Sequence, residues 1–387
     1  MRIVASIPLL LVLIALGPSG CGSSAATPAA ADAGAGTGSD GSGTASDGAA
    51  GGDAQTAAVG YWTQLAATGL PKVIASPSMV VIGTSLYVGT KQASGETVGL
   101  YKSDDAGLTF KKLTLDATCI SVDGLYATPT GKLLVFCGVA KPGHGLYAST
   151  DGGATFSDAT KGMPDAYSYG ARPIEFGGKI FHSCSSFSSD DAVSWNSDNA
   201  RPAGQPYTIG GNLYCQVMAV YNNKTFQSTD GGLTWKDVSD PSVKLSQVSG
   251  FVLHAGAIFA SDTSPSDPGN LSNSTGVSSI ATTSDGLKWS KVTSLPVDVT
   301  NVPYRLLFST GKQLFVALEG PTEETATKPS AGPNFVSVDG GKTFGPVGQM
   351  EQNHNLPLDR PNAMAVLGDN VLALSNAGLA KRALASF

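Results

Sequence analysis

An all-β fold built by radial repetition is predicted by three observations. One short hairpin pattern recurs six times. The intervals between copies hold short runs of β-branched and aromatic residues separated by Gly, Asn or Asp turns. No segment offers a helical stripe of any length. The copies are S-D-D-A-G-L-T-F (Ser103 to Phe110), S-T-D-G-G-A-T-F (Ser149 to Phe156), S-S-D-D-A-V-S-W (Ser188 to Trp195), S-T-D-G-G-L-T-W (Ser228 to Trp235), T-T-S-D-G-L-K-W (Thr282 to Trp289) and S-V-D-G-G-K-T-F (Ser337 to Phe344). Their spacings of 46, 39, 40, 54 and 55 residues suit one four-stranded sheet per repeat, which is the period of a β-propeller blade.

Each copy has a local physical reading. The Asp (Asp105, Asp151, Asp190, Asp230 and Asp339) accepts backbone N–H groups of its own turn, Gly supplies positive φ, and the Ser or Thr satisfies one more backbone group. The aromatic opens the next strand and packs between sheets. In the third copy Ala192 takes the Gly place. In the fifth, Ser284 is read in the Asp place and Lys288 in the Thr place. Each unit therefore reads as strand, Gly turn, strand, variable loop, strand, hairpin and outer strand.

The ends of the domain set the blade count. After the sixth hairpin, Met364 to Val366, Val371 to Leu374 and Leu379 to Leu384 form three strands without a hairpin or outer strand of their own. At the other end, Tyr61 to Leu65 resembles the strand that follows a hairpin, with Trp62 in the place of Trp235 or Phe156. Seven blades are expected, closed by that N-terminal strand, which removes exposed sheet edges. The alternative is a six-bladed ring, which leaves the C-terminal strands unexplained.

The hairpin pattern resembles the Asp-box, or BNR, repeat of sialidases, sortilin-type receptors, glucan-active glycoside hydrolases and propellers similar to photosystem II assembly factors. Four copies, at Ser103, Ser149, Ser228 and Ser337, match S-x-D-x-G-x-T-[FW] in full, and the resemblance covers roughly residues 60 to 387. It implies a propeller. It says little about function, because the motif is structural in most of these families.

Ahead of the domain, Met1-Arg2 and the apolar run Ile3 to Leu16 read as a secretory signal, too short for a comfortable membrane span. P-S-G-C ending at Cys21 resembles a bacterial lipobox, with Pro18 where an aliphatic residue usually stands. Residues 1–20 are expected to be a lipoprotein signal peptide, and Cys21 to be lipidated (palmitate included). With Gly22 and Ser23 next and no adjacent Asp, the sorting rule of enteric bacteria implies the outer membrane, facing periplasm or cell surface. Residues 21–56 carry the lipidated Cys and a linker almost wholly of Ala, Gly, Ser, Thr and Asp with no Lys or Arg. Such a segment cannot offset its ordering entropy by burial, and spans roughly 30–35 Å as a coil. Residues 57–387 are the propeller domain.

Charge and composition exclude several functions. The formal net charge is −6, and −7 without Arg2, so nucleic-acid binding lacks its electrostatic basis. The four histidines, His144, His182, His254 and His354, show no metal-ligand spacing, and there is no G-x-S-x-G elbow, P-loop or dinucleotide fingerprint. No metal and no cofactor is expected. Cys119, Cys137, Cys184 and Cys215 allow three pairings, of which 119–137 with 184–215 is preferred; buried free thiols are the alternative.

Ligand recognition is sought on long loops and among arginines. The two longest insertions, Ser261 to Ser279 and Glu319 to Asn334, fall in adjacent blades. Three of the five domain arginines, Arg172, Arg305 and Arg360, stand near the starts of innermost strands, where guanidinium forks suit a carboxylate or phosphate. Glu175 and Asp359 are their obvious local partners, and Tyr169 with Glu175 and Arg172 is the one grouping that invites an enzymatic test. The resemblance admits a sialidase-like glycosidase, but no Arg precedes Ser103 in the domain, as the Arg-Ile-Pro segment of that family requires. The reading is a monomeric, envelope-anchored module without catalytic residues that binds a glycan or an envelope protein. The alternative is a glycoside hydrolase.

Overall fold

The computed structural model describes residues 62–71, 78–91, 99–139, 145–163, 173–189, 194–217, 224–240, 248–263, 278–293, 295, 304–318, 334–346, 363–375 and 378–387. All belong to one compact unit, Gln55–Phe387. They form seven four-stranded antiparallel sheets, each a blade of a seven-bladed β-propeller. After an N-terminal strand β1 (Thr63–Gln64), blade one is β2 (Ser78–Ile82), β3 (Ser85–Thr90), β4 (Gly99–Ser103) and β5 (Lys111–Leu113). Blade two is β6 (Cys119–Ala127), β7 (Leu133–Val139), β8 (Gly145–Ser149) and β9 (Ser157–Asp158). Blade three is β10 (Ile174–Phe176), β11 (Lys179–Ser183), β12 (Ser186–Ser189) and β13 (Trp195–Ser197). Blade four is β14 (Gln205–Ile209), β15 (Asn212–Val217), β16 (Lys224–Ser228) and β17 (Lys236–Asp237). Blade five is β18 (Val248–His254), β19 (Ala257–Thr263), β20 (Ser278–Thr283) and β21 (Ser290–Lys291). Blade six is β22 (Tyr304–Ser309), β23 (Leu314–Leu318), β24 (Asn334–Ser337) and β25 (Gly345–Pro346). Blade seven has β26 (Ala363–Leu367), β27 (Asn370–Ser375) and β28 (Gly378–Ala383), and takes β1 as its outer strand.

That last pairing is the closure expected from the sequence. Thr63 pairs with Lys381 and Gln64 with Ala380, and the Leu65 N–H donates to the Leu379 carbonyl at 2.9 Å. Trp62 is 7% exposed and packs among Phe315, Ala317, Met364, Val371, Ala373 and Ala380, which belong to blades six and seven. A chain with six blades would have left this indole without a seam to fill.

The core is divided by seam rather than pooled. Seven buried clusters occupy the seven gaps between neighbouring blades, such as Tyr87, Leu100, Val122, Leu133, Val135 and Cys137 between blades one and two. The alternation of each central strand explains this: Leu86 faces the seam with blade seven, and its neighbour Tyr87 the seam with blade two.

Two disulfides form, in the preferred pairing. Cys119 and Cys137 link β6 to β7 within blade two at a Cα separation of 5.2 Å. Cys184 and Cys215 join blades three and four at 5.9 Å. The sequence places Cys184 within the second strand of its blade. It stands instead just past β11, in the turn before β12, where its N–H donates to the Gly204 carbonyl at 3.2 Å. That shift beyond the strand end brings two neighbouring blades within bridging distance.

Replacing Trp62 with Ala should remove about 3–5 kcal/mol, the usual cost of a large-to-small change at a packed aromatic. Deletion of residues 25 to 50 should leave stability unchanged. Thermal melts by circular dichroism compare the two, and a Trp62→Ala chain as stable as its parent would refute the role of the N-terminal strand in closure.

Candidate functional site

An antiparallel meander puts its first and third turns at one end of each blade and its second at the other. The six hairpins between third and fourth strands therefore form one rim, the hairpin end. The insertions after β19 and β23 leave at the opposite, loop end. First strands of neighbouring blades lie closest together, β2 against both β6 and β26 and β18 against β22, so these strands ring the axis.

At the hairpin end the carboxylates are committed to the fold. Asp105 accepts the Thr109 hydroxyl at 2.6 Å, the Thr109 N–H at 2.8 Å and the Ser103 hydroxyl at 2.7 Å. The Gly107 N–H in turn donates to Ser103 Oγ at 2.8 Å. Asp151 repeats this with Ser149 and Thr155, Asp230 with Ser228 and Thr234, and Asp339 with Ser337 and Thr343. Bonds from the threonine to the ionised form bring the carboxyls of Asp105 and Asp151 down to about 2 and hold Asp230 and Asp339 lower still. Asp190 lies outside the described residues.

The fifth hairpin departs from the sequence reading. Thr283, not Thr282, takes the serine role: its hydroxyl donates to Asp285 at 3.0 Å and accepts the Gly286 N–H at 3.0 Å. Asp285, not Ser284, is the turn's acceptor, receiving the Leu287 and Lys288 N–H groups, each at 2.8 Å. The loop is one residue shorter than the others, which shifts the register by one. Lys288 does stand in the Thr place, but brings no hydroxyl.

Toward the loop end, bulges interrupt three of the innermost strands. In β22, Tyr304 pairs with Leu318 and Leu306 with Ala317, so Arg305 is the extra residue. In β6 the extra residues are Ile120 and Asp123, and in β18 Gly250 and Phe251 stand opposite Ala260. Asp123 and Arg305 fall at one height. Each sits between the partners of the third and fourth residues beyond the one that faces the hairpin serine, Leu133 in blade two and Leu314 in blade six. Bulges re-aim side chains and gather near functional sites. Asp123 accepts the Ser121 hydroxyl at 3.0 Å and meets Lys91 of blade one at 3.7 Å.

Of the other residues singled out in the sequence, Arg172, Arg360, Tyr169 and Cys21 lie outside the described residues. Glu175 is exposed in β10, opposite Ile180 and beside the turn toward β11, closer to the hairpin end than Arg305. It acts on Tyr126 of blade two: burial first, and the Glu175 charge second, push that phenol up to about 12. Arg305 and Glu175 thus stand in separate blades, at separate heights of their strands. Tyr126, Asp123 and Lys91 escaped sequence reasoning. The signal was in C-I-S-V-D-G-L-Y-A, whose D-G step breaks strict alternation in a nine-residue strand.

Among the described residues no three His, Cys, Asp or Glu side chains converge as metal ligands. His254 is buried, with Nδ1 3.0 Å from Ser309 Oγ across the seam of blades five and six, and burial holds its pKa below the usual value.

No protein-family description matches the chain, and no curated protein matches it either. Solved structures do. YCF48 bound to D1 peptide aligns with a TM-score of 0.51 and 13% identity over 84% of this chain and 95% of that one. An inactive virginiamycin B lyase from Staphylococcus aureus with quinupristin gives 0.50 and 12%, over 79% and 93%. The GH74 enzyme of Niastella koreensis gives 0.55 and 16%, over 82% of this chain and 53% of that one, so the chain spans about half that enzyme. At such identities the likeness is one of fold.

The hairpin carboxyls make stability acid-dependent. Their folded pKa values lie below the unfolded value of about 3.9, so the stabilisation is complete above about pH 4 and is lost as pH falls toward about 2. Melting temperatures measured across that window should fall in the parent. They should fall less steeply once Asp105 and Asp151 are both changed to Asn; parallel slopes would show that these turns do not carry the dependence.

Proposed function

We propose that this chain is a cell-envelope lipoprotein whose propeller, of the Asp-box type, is a non-catalytic binding or assembly module for a glycan or a protein of the envelope. The observation that carries the reading is the division of the ring into a hairpin end, where Asp105, Asp151, Asp230 and Asp339 are engaged by their own turns, and a loop end toward which the innermost strands carry the bulges at Asp123 and Arg305. Ligand capture belongs to the loop end, with Arg305 in its bulge joined by Arg172 and Arg360, near the starts of other innermost strands. Guanidinium groups there favour a ligand bearing carboxylate. The similar structures bound to D1 peptide and to quinupristin are examples of this fold holding a ligand, and they lend the reading analogy only.

A glycoside hydrolase of the sialidase-like type is the second reading, and the described residues support it less. Glycoside cleavage asks for two carboxyl groups about 5–9.5 Å apart, one of them able to hold a proton near neutrality. The hairpin aspartates are held ionised, and Glu175 is the single glutamate among the described residues.

Export is supported by the two disulfides, which persist in oxidising compartments. Lipid attachment at Cys21 and an outer-membrane address follow from the signal sequence, with the domain acting as a monomer on its linker and no nucleic acid among its partners.

Two experiments test this. The mature chain is put on a glycan array and given a panel of aryl-glycosides. The expected result is binding of carboxylate-bearing ligands without turnover, weakened at least about tenfold by Arg305→Ala, the scale of one lost charged contact. Turnover that disappears with Glu175→Gln would install the enzymatic reading instead. Separately, Cys21→Ser should move the protein from the membrane fraction to the soluble pool; unchanged fractionation, with no fatty acid label on the parent, would end the lipoprotein reading.

A further inference from the structure

The second, fourth, fifth and sixth hairpins each cover one aromatic residue of the preceding blade. Gly232 leaves no room for a Cβ against Phe181, where one would lie 2.5 Å from the ring; Gly286 closes in the same way on Tyr214 at 2.7 Å and Gly341 on Phe259 at 2.3 Å. Tyr87 is met by the second hairpin, its hydroxyl donating to the Gly152 carbonyl at 3.0 Å. These aromatics share one position, the residue after the partner of the hairpin Ser or Thr: Leu86 pairs with Ser103 and precedes Tyr87, Leu213 pairs with Ser228 and precedes Tyr214. In blade six that position is Phe315, since Leu314 pairs with Ser337. Blade seven has no hairpin to cover it.

The register of blade seven shows what stands there. Its first turn has the two-residue span of blade one, Leu367 pairing with Asn370 as Ile82 pairs with Ser85, so Val371 corresponds to Leu86 and its partner Arg382 to Ser103. Ser103 binds a backbone group four residues on. Arg382 does likewise: Nε donates to Ser386 Oγ at 3.0 Å and Nη2 to the Ser386 carbonyl at 2.6 Å. The guanidinium, in a side chain only 6% exposed, then lies over the Phe387 ring at 3.9 Å. That ring meets Phe315 edge-on at 4.9 Å and Trp62 at 6.1 Å. Gln313 of blade six adds a bond to the Leu384 carbonyl at 3.3 Å.

We infer that Phe387, seated by Arg382, is a latch that replaces the missing seventh hairpin and holds the seam between blades six and seven. Three parts of the chain converge on one ring: the central strand of blade six through Phe315, the third strand of blade seven through Arg382, and the N-terminal strand through Trp62. Releasing Phe387 frees Phe315 and the Trp62 edge together. Blade seven then opens as a unit, while the hairpins of blades two to four stay docked.

Hydrogen exchange of the full chain reads this locally. In Phe387→Ala, protection of β1, β28 and β23 should fall at least about tenfold, with β7, β11 and β15 unchanged within about twofold, because local openings are independent units where seams do not share residues. Trp62→Ala combined with Phe387→Ala should add little to either alone, whereas Phe387→Ala combined with Tyr87→Phe should be additive. Should the alanine chain not fold, Phe387→Leu and Arg382→Lys are judged by the same segments. Uniform loss of protection across all blades, or no loss at β1 and β28, overturns the latch.

Discussion

Each hairpin is built to fit the blade before it, and the ring depends on that fit. The second glycine of the turn has positive φ, as at Gly232 (83°) and Gly341 (84°), a conformation that costs other residues steric strain. The same glycine lies against an aromatic ring that leaves no space for a side chain. Backbone geometry and seam packing thus demand the same residue. The carboxylate below holds the turn open, and polar groups of the preceding blade grip its carbonyls: Tyr207 Oη on Gly286 at 2.9 Å, Tyr214 Oη on Asp285 at 3.1 Å, Lys179 Nζ on Gly231 at 2.9 Å. One turn therefore fixes two sheets relative to each other. Repeated around a circle, such contacts set the angle between blades and with it the number that closes.

Much of this was legible because it is local. Ser, Asp, Gly and Thr at fixed offsets describe a turn whose hydrogen bonds fall within four or five residues, and Trp62 announced itself by standing where Trp235 and Phe156 stand. What escaped the sequence involved a change of register. In the fifth hairpin, T-T-S-D-G offers two threonines and two candidate acceptors; only the pairing of Ile258 with Thr283 decides that Asp285 holds the turn. Cys184 was misplaced by one step for a similar reason, its strand ending at Ser183. The bulges at Asp123 and Arg305 depend on which carbonyl of the neighbouring strand is skipped; the D-G step hints at an irregularity in β6, but its exact place is set only once the partner strand is known.

The first hairpin shows how far the constraint can be bent. Its first turn position holds Ala106 at φ 59°, where the second, fourth and sixth hairpins use Gly152, Gly231 and Gly340. An L-residue in that region costs roughly 1–2 kcal/mol. The neighbouring Gly107, where a Cβ would lie 2.6 Å from Leu379, could not have made the exchange. Strain is thus accepted at the position that faces outward and refused at the one that faces the seam. Packing, more than backbone preference, sets which glycine is indispensable.

The same turns give the ring an electrical direction. Asp105, Asp151, Asp230, Asp285 and Asp339 all lie at the hairpin end, and each is held ionised more firmly than a free carboxylate. Their hydrogen bonds lower the cost of that charge without cancelling it, so the rim keeps a run of negative sites spaced around the axis. Toward the other end Arg305 is the extra residue of the β22 bulge, and Asp123, at the same height in β6, is paired to Lys91. Fields of this kind steer encounters over distances of about a Debye length, near 8 Å at physiological salt. The residues that lock the blades together therefore also fix where this negative charge stands, and scaffold and surface field rest on the same aspartates.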